Sequence, residues 1–182
     1  MLESITRKLE TAEHESSAIP ESQVRNWMAS DDPEVLGATY SLLMNEKLVA
    51  RIVPSLSFDE VFSFLLRYFD YCLRCNPEGE WVDDRFSASC DFVSLFVSYW
   101  DEGHERKYFD EMKSMLKRLY VEGPPEVKQS VEQAIIEHLF ERDDIRNFFS
   151  DWRADPQLSA AYTAGELWVD GGGRSPLTDR EK

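Results

Sequence analysis

Long apolar runs are missing from this sequence of 182 residues. Nowhere do about eighteen apolar residues stand together, the length that a membrane-spanning helix needs. Residues 1–20 hold no apolar stretch of signal-peptide length, and an acid, Glu3, stands almost at the start. Cations are scarce: 20 Lys and Arg face 35 Asp and Glu, a net charge of −15. Such a surface repels phosphate backbones and anionic lipid, so direct nucleic-acid or membrane binding is not expected. Cysteine is limited to Cys72, Cys75 and Cys90, an odd number in a chain too large to need disulfide staples. These absences predict a soluble cytoplasmic protein with free thiols.

Familiar chemical signatures are also missing. There is no Gly-x-Gly-x-x-Gly after a strand, no Gly-x-x-x-x-Gly-Lys, no His-Glu-x-x-His and no Gly-x-Ser-x-Gly, which disfavours common nucleotide and hydrolase chemistry. Cys72 and Cys75 have the spacing of a redox dithiol or half a zinc site. They fall at the C-terminal end of a predicted helix, however, where the helix dipole works against a thiolate. A zinc site needs two further ligands, and Cys90, His104 and His138 stand singly. Neither a metal nor any other cofactor is therefore expected.

What the sequence has in quantity is apolar and aromatic residues, 42% and 13% of the chain, enough to close a substantial core. Glycine and proline, eight of each, divide it into segments of helical length in which apolar residues recur at steps of three and four. The prediction is an all-α fold of about eight helices. Short connections suit a compact, irregular or orthogonal bundle. A HEAT-like stack of helix pairs is the alternative, but no pattern returns at a fixed period. Residues 1–19 are expected to form an arm or short helix, 20–169 a single domain, and 170–182 a disordered polar tail.

Several helix starts are legible. Asp32 before Pro33 is an N-cap signal for a helix carrying Val35, Leu36, Tyr40, Leu43, Leu48 and Ile52 inward until Pro54. Ser57 with Glu60 matches the capping box and opens a helix to about Cys75. On that helix Ser63, Arg67, Asp70 and Arg74 form one thin polar seam, and aromatic and aliphatic residues cover the rest. The segment 83–102 repeats the logic: Ser87, Asp91, Ser94 and Ser98 make a stripe, and Phe86, Val93, Leu95, Phe96, Val97, Tyr99 and Trp100 surround it. Both helices are expected to be largely enclosed. Beyond Gly123, one helix carries Val127, Val131, Ala134, Ile135, His138 and Leu139. A last helix is expected to open at Pro156, capped by Asp155.

Two candidate sites follow. The connection 76–84 concentrates Glu78, Glu80, Asp83 and Asp84 around Trp81 without a cation. Counting from Asn76 puts Trp81 and Ser87 where a calcium loop needs glycine and glutamate, so calcium is excluded. An aromatic ring in an acidic rim is the composition of a contact patch for a basic protein; a ring folded inward beneath solvated carboxylates is the other reading. The charge is uneven: residues 54–103 hold ten acids and three bases, residues 104–122 four acids and five bases. The second candidate is a polar groove between the helices 57–75 and 83–102, built from Asp91 with Arg67 or Arg74 and joined by His138. Its structural counterpart is an Asp91–Arg ion pair closing helix contacts, with His138 as a hydrogen-bonded core residue.

The functional expectation is an acidic helical interaction module, acting as adaptor, inhibitor or immunity-like antagonist of a basic partner. A small-ligand protein or enzyme using the polar groove, and a homo-oligomeric scaffold, are the alternatives.

Overall fold

A computed structural model describes residues 1–12, 14 and 16–173. The fold is all-α, with one minimal sheet, and no helix among the described residues is long and apolar enough to cross a membrane. Contacts divide the chain into two compact units, residues 1–72 with 76–84 and residues 73–75 with 85 onward.

The first unit begins with α1 (Leu2–Glu10) and α2 (Glu21–Met28), both packed on α3 (Pro33–Leu43). Asp32 caps α3 as its sequence position demands, its Oδ1 accepting from the backbone N–H groups of Glu34 and Val35. The expected continuation to Pro54 does not occur: α3 stops at Leu43 and a single turn, α4 (Glu46–Val49), follows. The cause is Asn45, whose side chain accepts from the backbone N–H groups of Lys47 and Leu48 and so caps a new helix. Two short strands, β1 (Ile19–Pro20) and β2 (Ile52–Val53), then pair in parallel with Ile19 opposite Ile52.

Helix α5 (Phe58–Cys75) has the capping box read from the sequence. The Ser57 hydroxyl accepts from the Glu60 backbone N–H, and Glu60 Oε2 accepts from the Ser57 backbone N–H at 3.0 Å. Burial follows the seam: Phe62, Phe64, Leu65, Tyr68, Phe69 and Leu73 are buried, while Ser63, Arg67 and Arg74 are exposed. Within this core Tyr68 stacks on Tyr40, ring centroids 4.5 Å apart.

The second unit contains α6 (Arg85–Glu102), α7 (Arg106–Glu122), α8 (Pro125–Ser130), α9 (Glu137–Leu139), α10 (Asp143–Phe148) and α11 (Ser159–Asp170). Its core centres on Phe96, whose ring lies 5.3 Å from that of Phe109 and 6.0 Å from those of Trp100 and Phe149. Of the residues expected to be enclosed on α6, Val93, Phe96 and Val97 are buried, Leu95, Tyr99 and Trp100 are half-buried, and one is open to solvent. Phe86, expected to be enclosed, is 70% exposed, because the chain becomes helical only at Arg85 and the first turn of α6 is left uncovered on that side.

Between α8 and α9 the backbone is π-helical from Val131 to Ile136, a change of winding that no periodicity in the sequence announced. The last helix starts at Ser159, after Pro156; Asp155 accepts from the Gln157 backbone N–H and from Lys117 rather than capping α11 itself. The tail expected over 170–182 lies, from residue 174 onward, outside the described residues.

Ser57→Ala is expected to lower the unfolding free energy by about 1 kcal/mol, measured by chemical denaturation. The Ser57 hydroxyl and backbone N–H, with the Arg25 guanidinium, hold the Glu60 carboxyl down at about 2 against an ordinary 4.5. A depressed acid contributes its stability above the unfolded value and loses it as the pH falls through the folded one. Glu60→Gln should therefore flatten the decline of stability between pH 4.5 and pH 2 in a urea series.

Candidate functional site

The acidic connection is held to the rest of the first unit by hydrogen bonds at Glu80, Trp81 and Asp83. Asn76 ends α5 in the left-handed region, at φ 48°, and turns the chain. Glu34, in the first turn of α3, then grips the returning strand: its Oε1 accepts from the Glu80 backbone N–H and its Oε2 from that of Trp81, both at 3.0 Å. Two glycines make room for this grip. A Cβ at Gly79 would strike the Glu34 carboxylate, and a Cβ at Gly37, one turn along α3, would collide with the Trp81 carbonyl.

Beyond Trp81, Val82 is buried, and Asp83 meets Tyr68 reciprocally. The Tyr68 hydroxyl donates to Asp83 Oδ2 at 2.7 Å and accepts from the Asp83 backbone N–H at 3.0 Å. Burial, with the neighbouring Cys72 and Asp83 adding to it, pushes the Tyr68 phenol far above its ordinary range, so it is a neutral donor at any physiological pH. The connection is thus a fixed surface feature. Glu78, Glu80 and Asp84 are exposed, while Trp81 and Asp83 are half-buried. Trp81 stands between the two sequence readings, its backbone N–H bound by Glu34 and the residue half-buried.

The residues of the expected polar groove have separate employments. Arg67 donates to the Met28 carbonyl, lies 3.9 Å from Asp31 and approaches the Phe64 ring at 5.9 Å. Its expected pairing with Asp91 is not among these contacts, because the end of α2 offers an unpaired carbonyl within its own unit. Arg74 is exposed in the last turn of α5, and the neighbouring carbonyls of Leu73 and Arg74 accept from Arg85, which closes that helix end. Asp91 is half-buried on α6.

His138 Nδ1 lies 3.1 Å from Glu141 Oε1, and the same oxygen accepts from Trp168 Nε1 at 3.0 Å. The Glu141 side chain is only 5% exposed, and the His138 and Trp168 rings meet edge to face. This arrangement locks α9 to α11. Cys72 is buried, Cys75 exposed and Cys90 half-buried, and no group of three His, Cys, Asp or Glu among the described residues is placed to hold a metal ion.

Sequence reasoning passed over a polar cleft of about 590 Å³ on the second unit, walled by α7, α10 and the short turn 150–153. Arg106 lies 4.1 Å over the Phe148 ring and pairs with Asp110. Lys113 donates to the Phe148 carbonyl at 2.9 Å and pairs with Asp151. Trp100 Nε1 donates to Asp144, which also pairs with Arg142. Burial raises the Asp144 carboxyl, but these hydrogen bonds outweigh it and hold the group below its usual range. Partners here are as many as 44 positions apart, so no local spacing signals them. Each charge on the wall already has an opposite neighbour. The cleft therefore projects little field toward a ligand of either sign.

The carboxylates of Glu78, Glu80 and Asp84 are exposed on a connection whose backbone Glu34 and Tyr68 hold. No family model matches this chain, and no curated protein or solved structure matches it.

Glu34→Ala is expected to leave the helical content intact while amide exchange at Glu80 and Trp81 accelerates at least about tenfold, read residue by residue by NMR, since each N–H loses its only fixed acceptor. Tyr68→Phe removes the hydroxyl that donates to the Asp83 carboxylate and accepts from its backbone N–H, and should cost about 1–3 kcal/mol in urea denaturation.

Proposed function

We propose that this chain is a cytoplasmic protein-interaction module that engages a basic protein through the connection 78–84, as an adaptor or as an antagonist covering a cationic site. One observation carries the reading: the backbone bearing Glu78, Glu80 and Asp84 is held by Glu34 and Tyr68. Carboxylates on a loose loop lose conformational entropy when a partner orders them. On a fixed turn that cost is already met in the free protein, and more of the Coulombic gain reaches the affinity.

The net charge of −15 supports the sign of the partner and a fast, steered encounter. Trp81, half-buried, adds an aromatic residue beside the carboxylates, where desolvation strengthens each contact. The Asp83 carboxylate is engaged by Tyr68, so it shapes the turn instead of meeting the partner. The self-compensated cleft on the second unit lends a small-molecule reading no comparable support.

Affinity capture from cell extract, with the full chain immobilised, tests this. The expected result is retention of a basic protein whose binding falls steeply with added salt. The triple variant Glu78→Lys, Glu80→Lys, Asp84→Lys should abolish retention, and Trp81→Ala should weaken it by about tenfold. Capture that is indifferent to salt and to the triple variant removes the connection as the contact surface.

A further inference from the structure

The second unit carries a groove that the acidic connection does not explain. It lies between the first turn of α6 and the α8 helix with its π-helical continuation, and it encloses about 340 Å³. Phe86 stands on one wall and is, at 70%, the most exposed large apolar side chain among the described residues. Ala134, buried in the π-helical stretch, contributes to the opposite wall with Glu126, Gln129, Ser130 and Gln133. Three departures from ordinary surface thus coincide: an aromatic ring left in water, a helix wound out of α register, and a concavity between them. Single-turn π segments persist against their poorer hydrogen bonding mainly where function retains them.

The polar groups of the groove define what it would take. Gln129 Nε2 donates to Gln133 Oε1 at 3.0 Å, and neither side chain has another hydrogen bond among the described residues. The Gln129 oxygen and the Gln133 amide nitrogen are left without a partner among the described residues, one an acceptor and the other a donor, and reversing both amides would still leave an acceptor on one and a donor on the other. A donor and an acceptor on adjacent amides complement the N–H and C=O of a single residue in an extended segment, where both point to the same side, one amide accepting from the N–H and the other donating to the C=O. Those backbone groups are available only in an extended segment, because a helix spends them internally.

Two charged residues line the groove: the Arg85 guanidinium is turned to the carbonyls of Leu73 and Arg74, whereas Glu126 is exposed with no ion pair among the described residues and adds a carboxylate at the rim. The volume suits one side chain with its peptide unit and is small for a cofactor. A second copy of the chain, at net −15, would bring like charge to this rim.

We propose that this groove binds an extended peptide segment of a partner protein, in which an apolar side chain adjoins a lysine or arginine. The apolar side chain packs between Phe86 and Ala134. The Gln129–Gln133 pair holds the backbone beside it, and the cation meets Glu126. This site is separate from the connection 78–84 and does not require that reading to be correct.

A phage-displayed library of random dodecapeptides, panned against the immobilised full chain at low salt, provides the probe, and the enriched peptides are then labelled and titrated by fluorescence anisotropy. The expected result is enrichment of sequences with an apolar residue next to Lys or Arg. Binding should weaken about tenfold in Phe86→Ser and in Glu126→Lys, and by a smaller factor in Gln133→Ala. The variant Glu78→Lys with Glu80→Lys should bind these peptides as the parent does, which separates failure here from failure at the acidic connection. Phe86 is exposed, so Phe86→Ser should keep its circular dichroism and melting temperature, and a loss of peptide binding then reports the groove. The proposal is overturned by an absence of enrichment, by enriched peptides lacking the apolar–basic pair, by equal binding to Phe86→Ser, or by a parent dimer in light scattering that Phe86→Ser dissolves.

Discussion

A single carboxylate sets the shape of the surface on which the functional reading rests. Glu34 belongs to the first turn of α3, a position where acids are common simply because the helix dipole favours them. Here its two oxygens are turned instead to the backbone of a connection 46 and 47 residues away, supplying charge-assisted acceptors to two successive N–H groups. The surroundings agree with that geometry. Gly37 and Gly79 leave the necessary space, and Tyr68, buried and stacked on Tyr40, fixes the next residue but one. An acidic stretch that would otherwise repel itself into an open loop is thereby kept as a defined turn.

The distribution of charge separates surfaces that resemble one another in composition. Around Arg106, Lys113 and Arg142 every cation has a carboxylate partner, and the rings of Trp100 and Phe148 hold the ensemble together. Such networks stabilise by mutual compensation and present little net potential. The connection 78–84 has the opposite character. Its fixed points are backbone groups and a neutral phenol, which leaves Glu78 and Glu80 without a cation of their own among the described residues. Similar numbers of acids therefore have different consequences, and the difference lies in what each carboxylate touches.

The parts of the fold that were legible are those governed by near neighbours in the chain. The capping box at Ser57, the Asp32 cap and the thin polar seam of α5 rest on spacings of two to four residues, and the structure contains all three. Where expectation and structure part, a local competitor or a distant contact intervened. Asn45 restarted the chain within a stretch whose apolar spacing read as one helix. Phe86 obeyed the period of α6, yet no neighbour covers it, and periodicity reports which residues share a face without reporting whether that face is met. The π-helical turn at Val131–Ile136 follows sequence that reads as ordinary helix.

By itself the sequence determined the helical class, the places where the best-capped helices begin, the acidity, and the existence of a cation-free turn around Trp81. These depend on hydrogen bonds and side-chain spacing within a few residues, and on composition. Tertiary structure decided which carboxylates are spent and which face water, that Arg67 serves the end of α2, that His138 and Trp168 share one oxygen of Glu141, and that Phe86 borders a groove. Those outcomes depend on partners brought together from dozens of positions apart, and the position of such a partner is a property of the packed chain, which no local pattern encodes.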